Sequence, residues 1–294
     1  MPRPGRADVC RHLAYVGTPI RMGELLVDPA FSLVRQSWAP RRQQHGVVNA
    51  DGFGLGWYVS GLAEPARHRG SGAVWADETF GELSRVVQAG AFLAAVRSAT
   101  VGMVGGQSVA AAAPFRHGPW LFSHNGAIAG WPNVASRLAW GLDPGVLATL
   151  DAPTDSALLW AITVDLLLRG KTPGSALTEV IARVQDAGGG RATLLLTDGR
   201  TITATTWGTS LCWRRLPGGV VVASEPYDDD PAWVDVPDGS LLSADADGVV
   251  VEPLAQPTVD RPASDLSARD RPANDRPAND RPANDLSAND GVPR

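Results

Sequence analysis

Residues 154–170 read TDSALLWAITVDLLLRG, and residues 171–190 read KTPGSALTEVIARVQDAGGG. In the first stretch Leu158, Leu159, Ile162, Leu166 and Leu167 recur at helical spacing and form one apolar stripe. Thr154 is placed to cap its start and Gly170 its end. In the second stretch Leu177, Val180, Ile181 and Val184 mark another helix, stopped by Gly188-Gly189-Gly190. On either side the period changes to that of strands. Upstream, Leu13–Val16, Phe53–Val59, Phe92–Val96 and Trp120–Ser123 are short, apolar or alternating, and bounded by Gly or polar residues. Downstream, Ala192–Thr197 and Thr201–Trp207 flank the turn Asp198-Gly199-Arg200. Leu211–Arg215 and Val220–Ser224 flank Pro217-Gly218-Gly219, so two hairpins are expected. Strands, then two helices, then antiparallel hairpins define an α+β layered protein rather than a βαβ winding.

Composition sets the outer limits. The chain has 294 residues, is 44% apolar and carries 10 Trp, enough to bury a sizeable core. A net charge of −5 argues against a broad nucleic-acid surface, which needs positive charge to displace counterions. No apolar run is long enough to span a bilayer. Two cysteines, Cys10 and Cys212, cannot build a disulfide framework or a four-thiolate zinc site. Cys212 lies in an apolar strand and reads as core. The five histidines show no paired metal-ligand spacing. The run Asp51-Gly52-Phe53-Gly54-Leu55-Gly56 opens a strand, not a helix, and its third Gly comes one residue early for a dinucleotide loop.

Three regions are expected. Residues 1–9 form an extension without a signal-peptide apolar segment, so a cytoplasmic location is the expectation. Residues 10–254 form the globular domain. Residues 255–294 form a low-complexity tail in which Arg-Pro-Ala-Asn-Asp runs three times from Arg271 to Asp285, a composition that reads as disordered.

Four elements in order carry the chemistry: Cys10-Arg11-His12-Leu13, Ala95-Val96-Arg97-Ser98, Leu121-Phe122-Ser123-His124-Asn125-Gly126, and Pro153-Thr154-Asp155-Ser156. This set resembles the class II glutamine amidotransferase family of N-terminal-nucleophile hydrolases. Further stretches sharpen it: Ala39-Pro40-Arg41-Arg42-Gln43, Asn49-Ala50-Asp51-Gly52 and Ala223-Ser224-Glu225-Pro226-Tyr227-Asp228-Asp229-Asp230-Pro231. They are similar to the amidases of ergothioneine biosynthesis, over roughly residues 10–254. The resemblance implies a four-layer αββα sandwich and hydrolysis of a γ-glutamyl amide, that of γ-glutamyl-hercynylcysteine S-oxide. It implies no cofactor, no metal, and a small-molecule substrate as the partner.

It also implies roles. Cys10 is the nucleophile, and its own α-amine, with an ordinary pKa of about 7.7–8.0, suits a general base. The Asn125 side chain and the Gly126 N–H would stabilise the oxyanion. Arg97 would hold the glutamyl carboxylate as a bidentate fork and Asp155 the ammonium. Tyr227, Asp228 and nearby Trp are candidates for the trimethylammonium end of the leaving group. In the family the cysteine becomes the first residue, whereas here nine residues precede it. They are expected to be absent from the mature protein, through cleavage or through a start at Val9, since valine's GTG codon serves as a bacterial start and is then read as Met. Two other readings stand beside this one: a glutaminase subunit that feeds ammonia to a partner synthase, and a non-catalytic γ-glutamyl-binding protein if the extension stays.

Overall fold

The computed structural model describes residues 10–43, 48–98 and 108–255. The extension of residues 1–9 and the repeat tail from residue 256 onward lie outside the described residues. In chain order the strands are β1 (Arg11–Arg21), β2 (Phe53–Trp57), β3 (Ala66–Gly70), β4 (Gln88–Val96), β5 (Phe115–His117), β6 (Trp120–Ile128) and β7 (Gly190–Thr197). They continue with β8 (Ile202–Thr205), β9 (Cys212–Leu216), β10 (Gly219–Ala223), β11 (Val234–Asp235), β12 (Ser240–Ala244) and β13 (Val249–Pro253). The helices are α1 (Gly23–Leu26), α2 (Leu33–Gln36), α3 (Glu78–Val86), α4 (Ala135–Leu138), α5 (Pro144–Ala148), α6 (Asp155–Leu168) and α7 (Pro173–Asp186).

The strands form two antiparallel sheets. One has the order β11-β9-β10-β1-β4-β2-β3 and the other β13-β12-β8-β7-β6-β5. Successive side chains of a strand point to opposite faces, so each strand serves two packing layers. In β1, Ala14 and Val16 pack with Leu121, Leu195, Ala204 and Leu242 of the facing sheet. Leu13 and Tyr15 pack instead with Leu25 and Leu26 of α1, Leu33 of α2 and Phe80 of α3. In β7, Leu195 joins the layer between the sheets, while Leu194 and Leu196 pack with Leu159, Ile162, Leu177 and Val180 of α6 and α7. The result is the αββα sandwich that the sequence implied.

Both expected helices and both expected hairpins are present. The Thr154 hydroxyl accepts from Ala157 N at 3.2 Å, as a cap should. Helix α6 is buried well beyond its expected stripe: Trp160, Ala161, Thr163 and Val164 are covered too. A helix apolar on all sides must be enclosed, and α6 is, by β5, β6, α4, α5 and α7. The glycine run in β2 also has a packing cause. A Cβ at Gly54 would lie 2.2 Å from the Ala113 carbonyl oxygen, and one at Gly56 would lie 2.7 Å from Leu121. No helix among the described residues is long and apolar enough to cross a membrane.

Candidate active site

Strand register gathers the expected residues. Arg11 opposes Val96, Phe53 opposes Val96, and Leu13 opposes Ala223. Cys10, Gly52, Arg97 and Ser224 therefore sit together at one end of the first sheet. Arg97 N donates to Gly52 O at 2.8 Å, and Asp51 N to Arg97 O at 3.0 Å, extending that pairing past the strand ends. From the second sheet, β6 sends Ser123 and Asn125 into the space between the sheets, on the same side as Leu121. It sends Phe122 to the helix side, where its ring stacks on Trp160 of α6.

The contact across the sheets is direct. Cys10 N donates to Asn125 Oδ1 at 3.1 Å. Asn125 Nδ2 donates to Ser224 Oγ at 3.3 Å, and Ser224 Oγ also accepts from His12 N at 3.0 Å. Gly126 follows Asn125 where nothing larger fits: a Cβ there would lie 1.9 Å from the Arg191 carbonyl oxygen. One cleft is lined by Cys10, Gly52, Arg97, Ser123, His124 and Ser156, among others. Asp155 is the first residue of α6 and is buried. Its Oδ2 accepts from Ile128 N at 3.1 Å and its Oδ1 from Ser156 N at 2.7 Å. The carboxylate thus ties the end of β6 to the start of α6, next to the cleft wall at Ser156.

Tyr227 and Asp228 lie elsewhere in the contact pattern. Tyr227 is buried in the core between the first sheet and its helices. Its hydroxyl accepts from Arg214 at 2.8 Å, and burial pushes its pKa up to about 12. Asp228 accepts from Arg214 at 2.9 Å and from Trp233 Nε1 at 2.8 Å. The Arg214 guanidinium lies against both the Tyr227 and Trp233 rings. These two candidates are held in an Arg214-centred cluster, and neither lines the Cys10 cleft.

Buried ionisable groups lie close to Cys10. His12 is wholly buried, and burial, with His124 and Arg11 adding to it, lowers its pKa to about 3. Its imidazole is therefore neutral, with Nδ1 3.1 Å from Ser123 Oγ. Arg11 Nη1 donates to Cys10 O at 2.9 Å, and Arg11 Nε lies 3.6 Å from Glu225 Oε2. His124 Nδ1 lies 2.9 Å from Ser156 Oγ on α6. Cys212 is buried, and burial raises its thiol pKa. Ser224 and Glu225 received no site role from the sequence, although both lie within a quoted motif. No group of metal-binding side chains occurs among the described residues.

This sandwich, with Cys10 set against Asn125 between the sheets, is the architecture of an N-terminal-nucleophile hydrolase. The family model for class II glutamine amidotransferases matches residues 22–218, a span that holds Arg97, Asn125, Gly126 and Asp155 but starts after Cys10. The chain belongs to that family. It is 40% identical over 247 residues to the γ-glutamyl-hercynylcysteine sulfoxide hydrolase of Mycolicibacterium smegmatis, covering 84% of this chain and 100% of that protein. It is 38% identical over 246 residues to the protein of the same name from Mycobacterium tuberculosis, covering 84% and 97%. A solved class-II domain protein from Silicibacter pomeroyi superposes with a TM-score of 0.62 at 25% identity, covering 84% of this chain and 100% of the other.

Proposed function

We propose that this protein is a cytoplasmic amidohydrolase that cleaves the γ-glutamyl amide bond of γ-glutamyl-hercynylcysteine S-oxide. The products are glutamate and hercynylcysteine S-oxide. Two relatives of that name, matched over nearly their whole length, support the substrate. The observation that supports the mechanism is the 3.1 Å hydrogen bond from the Cys10 nitrogen to Asn125 Oδ1.

In this reading the Cys10 α-amine takes the thiol proton, and the thiolate attacks the δ-carbonyl carbon. The oxygen becomes an oxyanion, held by the Asn125 Nδ2 and Gly126 N–H groups. Collapse breaks the C–N bond, and the α-ammonium returns its proton to the leaving amine. A glutamyl thioester remains on Cys10. The amine then deprotonates a water, which attacks the thioester, releasing glutamate and restoring the thiol. Arg97 and Asp155 hold the glutamyl carboxylate and ammonium through both steps. Orientation of this kind contributes up to about 7–11 kcal/mol.

An amide nitrogen cannot act as this base, so the working chain begins at Cys10, and residues 1–9 are absent from it. The test is glutamate release from γ-glutamyl-hercynylcysteine S-oxide and from glutamine by protein beginning at Cys10. Preference for glutamine overturns the substrate assignment. N-terminal sequencing of active native protein that finds residues 1–9 retained overturns the mechanism.

A further inference from the structure

A side-chain amide has two ends of similar size, and only one orientation of Asn125 serves the chemistry proposed above. The oxygen must face the Cys10 nitrogen, and an N–H must face the oxyanion. Something has to hold the amide that way round. Ser224 is in contact with the other end: its Oγ accepts from Asn125 Nδ2 at 3.3 Å and from the His12 main-chain N–H at 3.0 Å. A hydroxyl has one donor hydrogen and two acceptor lone pairs, and here it accepts from both the His12 N–H and Asn125 Nδ2. A flipped amide would set an NH2 group against the nitrogen of Cys10 and would need the Ser224 hydroxyl to turn its hydrogen onto Oδ1 while still accepting from His12 N.

Ser224 is itself held firmly. It is fully buried, its N–H donates to His12 O at 2.9 Å, and its carbonyl accepts from Ser210 Oγ at 2.8 Å. It continues the β10–β1 pairing past the strand end, next to the nucleophile, while Asn125 belongs to the facing sheet.

We infer that Ser224 is a positioning residue: its hydroxyl fixes the orientation of the Asn125 amide, leaving one Nδ2 hydrogen for the oxyanion and Oδ1 for the Cys10 nitrogen. The inference rests on the N-terminal-nucleophile reading above. It makes a claim that general packing does not: the effect of the Ser224 hydroxyl on the reaction runs through Asn125, whereas its bond to His12 N holds the strand end.

The experiment is a double-mutant cycle in the chain beginning at Cys10, run on whichever γ-glutamyl amide that protein hydrolyses. Ser224→Ala should lower kcat roughly ten- to a hundredfold, a part of what a lost or misplaced oxyanion donor costs. KM should stay within about twofold, because Arg97 and Asp155 are untouched. In an Asn125→Ala background the same substitution should lower kcat less than about twofold further. The acid limb of the kcat/KM profile should move to lower pH in Ser224→Ala, since Oδ1 no longer holds the Cys10 ammonium. Ser224→Cys, close in size but a poor acceptor, should reproduce the kinetic loss if the alanine variant folds badly. Equal factors in both backgrounds, or a cysteine variant with kcat within twofold of the parent, overturn the assignment. A change of preferred substrate would overturn the function reading and leave the cycle decisive.

Discussion

Arg11 and Glu225 meet in the interior, with Nε 3.6 Å from Oε2 and side chains 2% and 0% exposed. The pair is one link in a longer chain of contacts. Arg11 reaches back to the Cys10 carbonyl at 2.9 Å. Glu225 uses both oxygens on the segment that carries Arg41 and Arg42, accepting from their main-chain N–H groups at 2.9 and 2.7 Å. Burial lowers the Arg11 pKa and Glu225 opposes that shift. The Cys10 backbone is thus fastened on one side by Asn125 and on the other by a buried charge pair.

Glu225→Gln removes the counter-charge and leaves the Arg11 guanidinium buried. It also leaves a single acceptor oxygen for two N–H groups. Breaking a buried pair from one side costs about 3–5 kcal/mol. Urea unfolding should show a loss of that size, and Arg11→Met added to Glu225→Gln should recover part of it. A Glu225→Gln midpoint equal to the parent's would show that the pair contributes nothing.

His12 makes stability depend on pH in a definite direction. Its pKa is about 3 in the native protein against 6.5 unperturbed. Below pH 6.5 the unfolded chain takes up a proton at His12 and the native protein does not. The stability this residue contributes is full above pH 6.5 and is lost as pH falls toward 3. At pH 5 the loss is about 2 kcal/mol, at about 1.4 kcal/mol per pKa unit. His12→Gln should flatten the fall in unfolding free energy between pH 7 and pH 5 by that amount. Parallel pH profiles for the two proteins would mean that His12 is charged in the native state.

The central elements of the fold were more legible in the sequence than its edges. Long periodic segments with clear punctuation, α6, α7 and the hairpins β7–β8 and β9–β10, were legible because burial and turn chemistry agree there. Strands such as β3, with every residue half-buried, and β13, with four of five residues exposed, have no apolar alternation to reveal them. Cys10, Arg97 and Asn125 were found through ordered motifs and meet at one end of the sandwich. Ser224 and Glu225 lie in a quoted motif but carry no sequence-assigned role, because a small hydroxyl and a carboxylate beside a strand look like ordinary surface chemistry until register buries them. Tyr227 and Asp228 drew notice as an aromatic–acid pair, but their partner Arg214 lies in β9, outside the motif that singled them out.

Gly126→Ala should be far more damaging than its single methyl suggests. The new Cβ would lie 1.9 Å from Arg191 O, so β6 and β7 would have to part beside the site. A loss above about 4 kcal/mol, or insoluble protein, is expected. Gly81→Ala, in helix α3 with nothing within 4 Å of the added carbon, is the control. That change should stabilise by about 0.5–1 kcal/mol, since Ala is the better helix former. Thermal unfolding of the pair tests it, and a Gly126→Ala protein as stable as its parent would contradict the close approach of the two strands.

Asp155 has one observed job and one proposed job, which one experiment can separate. As a first-turn acid it accepts from Ser156 N in α6, and its other oxygen accepts from Ile128 N in β6. As the proposed ammonium ligand it must also carry its charge toward the cleft. Asp155→Asn keeps one acceptor oxygen and removes the charge. It should cost about 1–2 kcal/mol of stability for the acceptor lost, and it should also raise KM for the γ-glutamyl substrate by at least roughly tenfold. Arg97→Lys separates the terms from the other side. It loses the fork that fits a carboxylate, so KM should rise to a similar degree, whereas stability should stay within about 0.5 kcal/mol. If Asp155→Asn lowers stability but leaves KM where it was, the residue is a helix-end acid and nothing more, and the ammonium of the substrate must be held by another group.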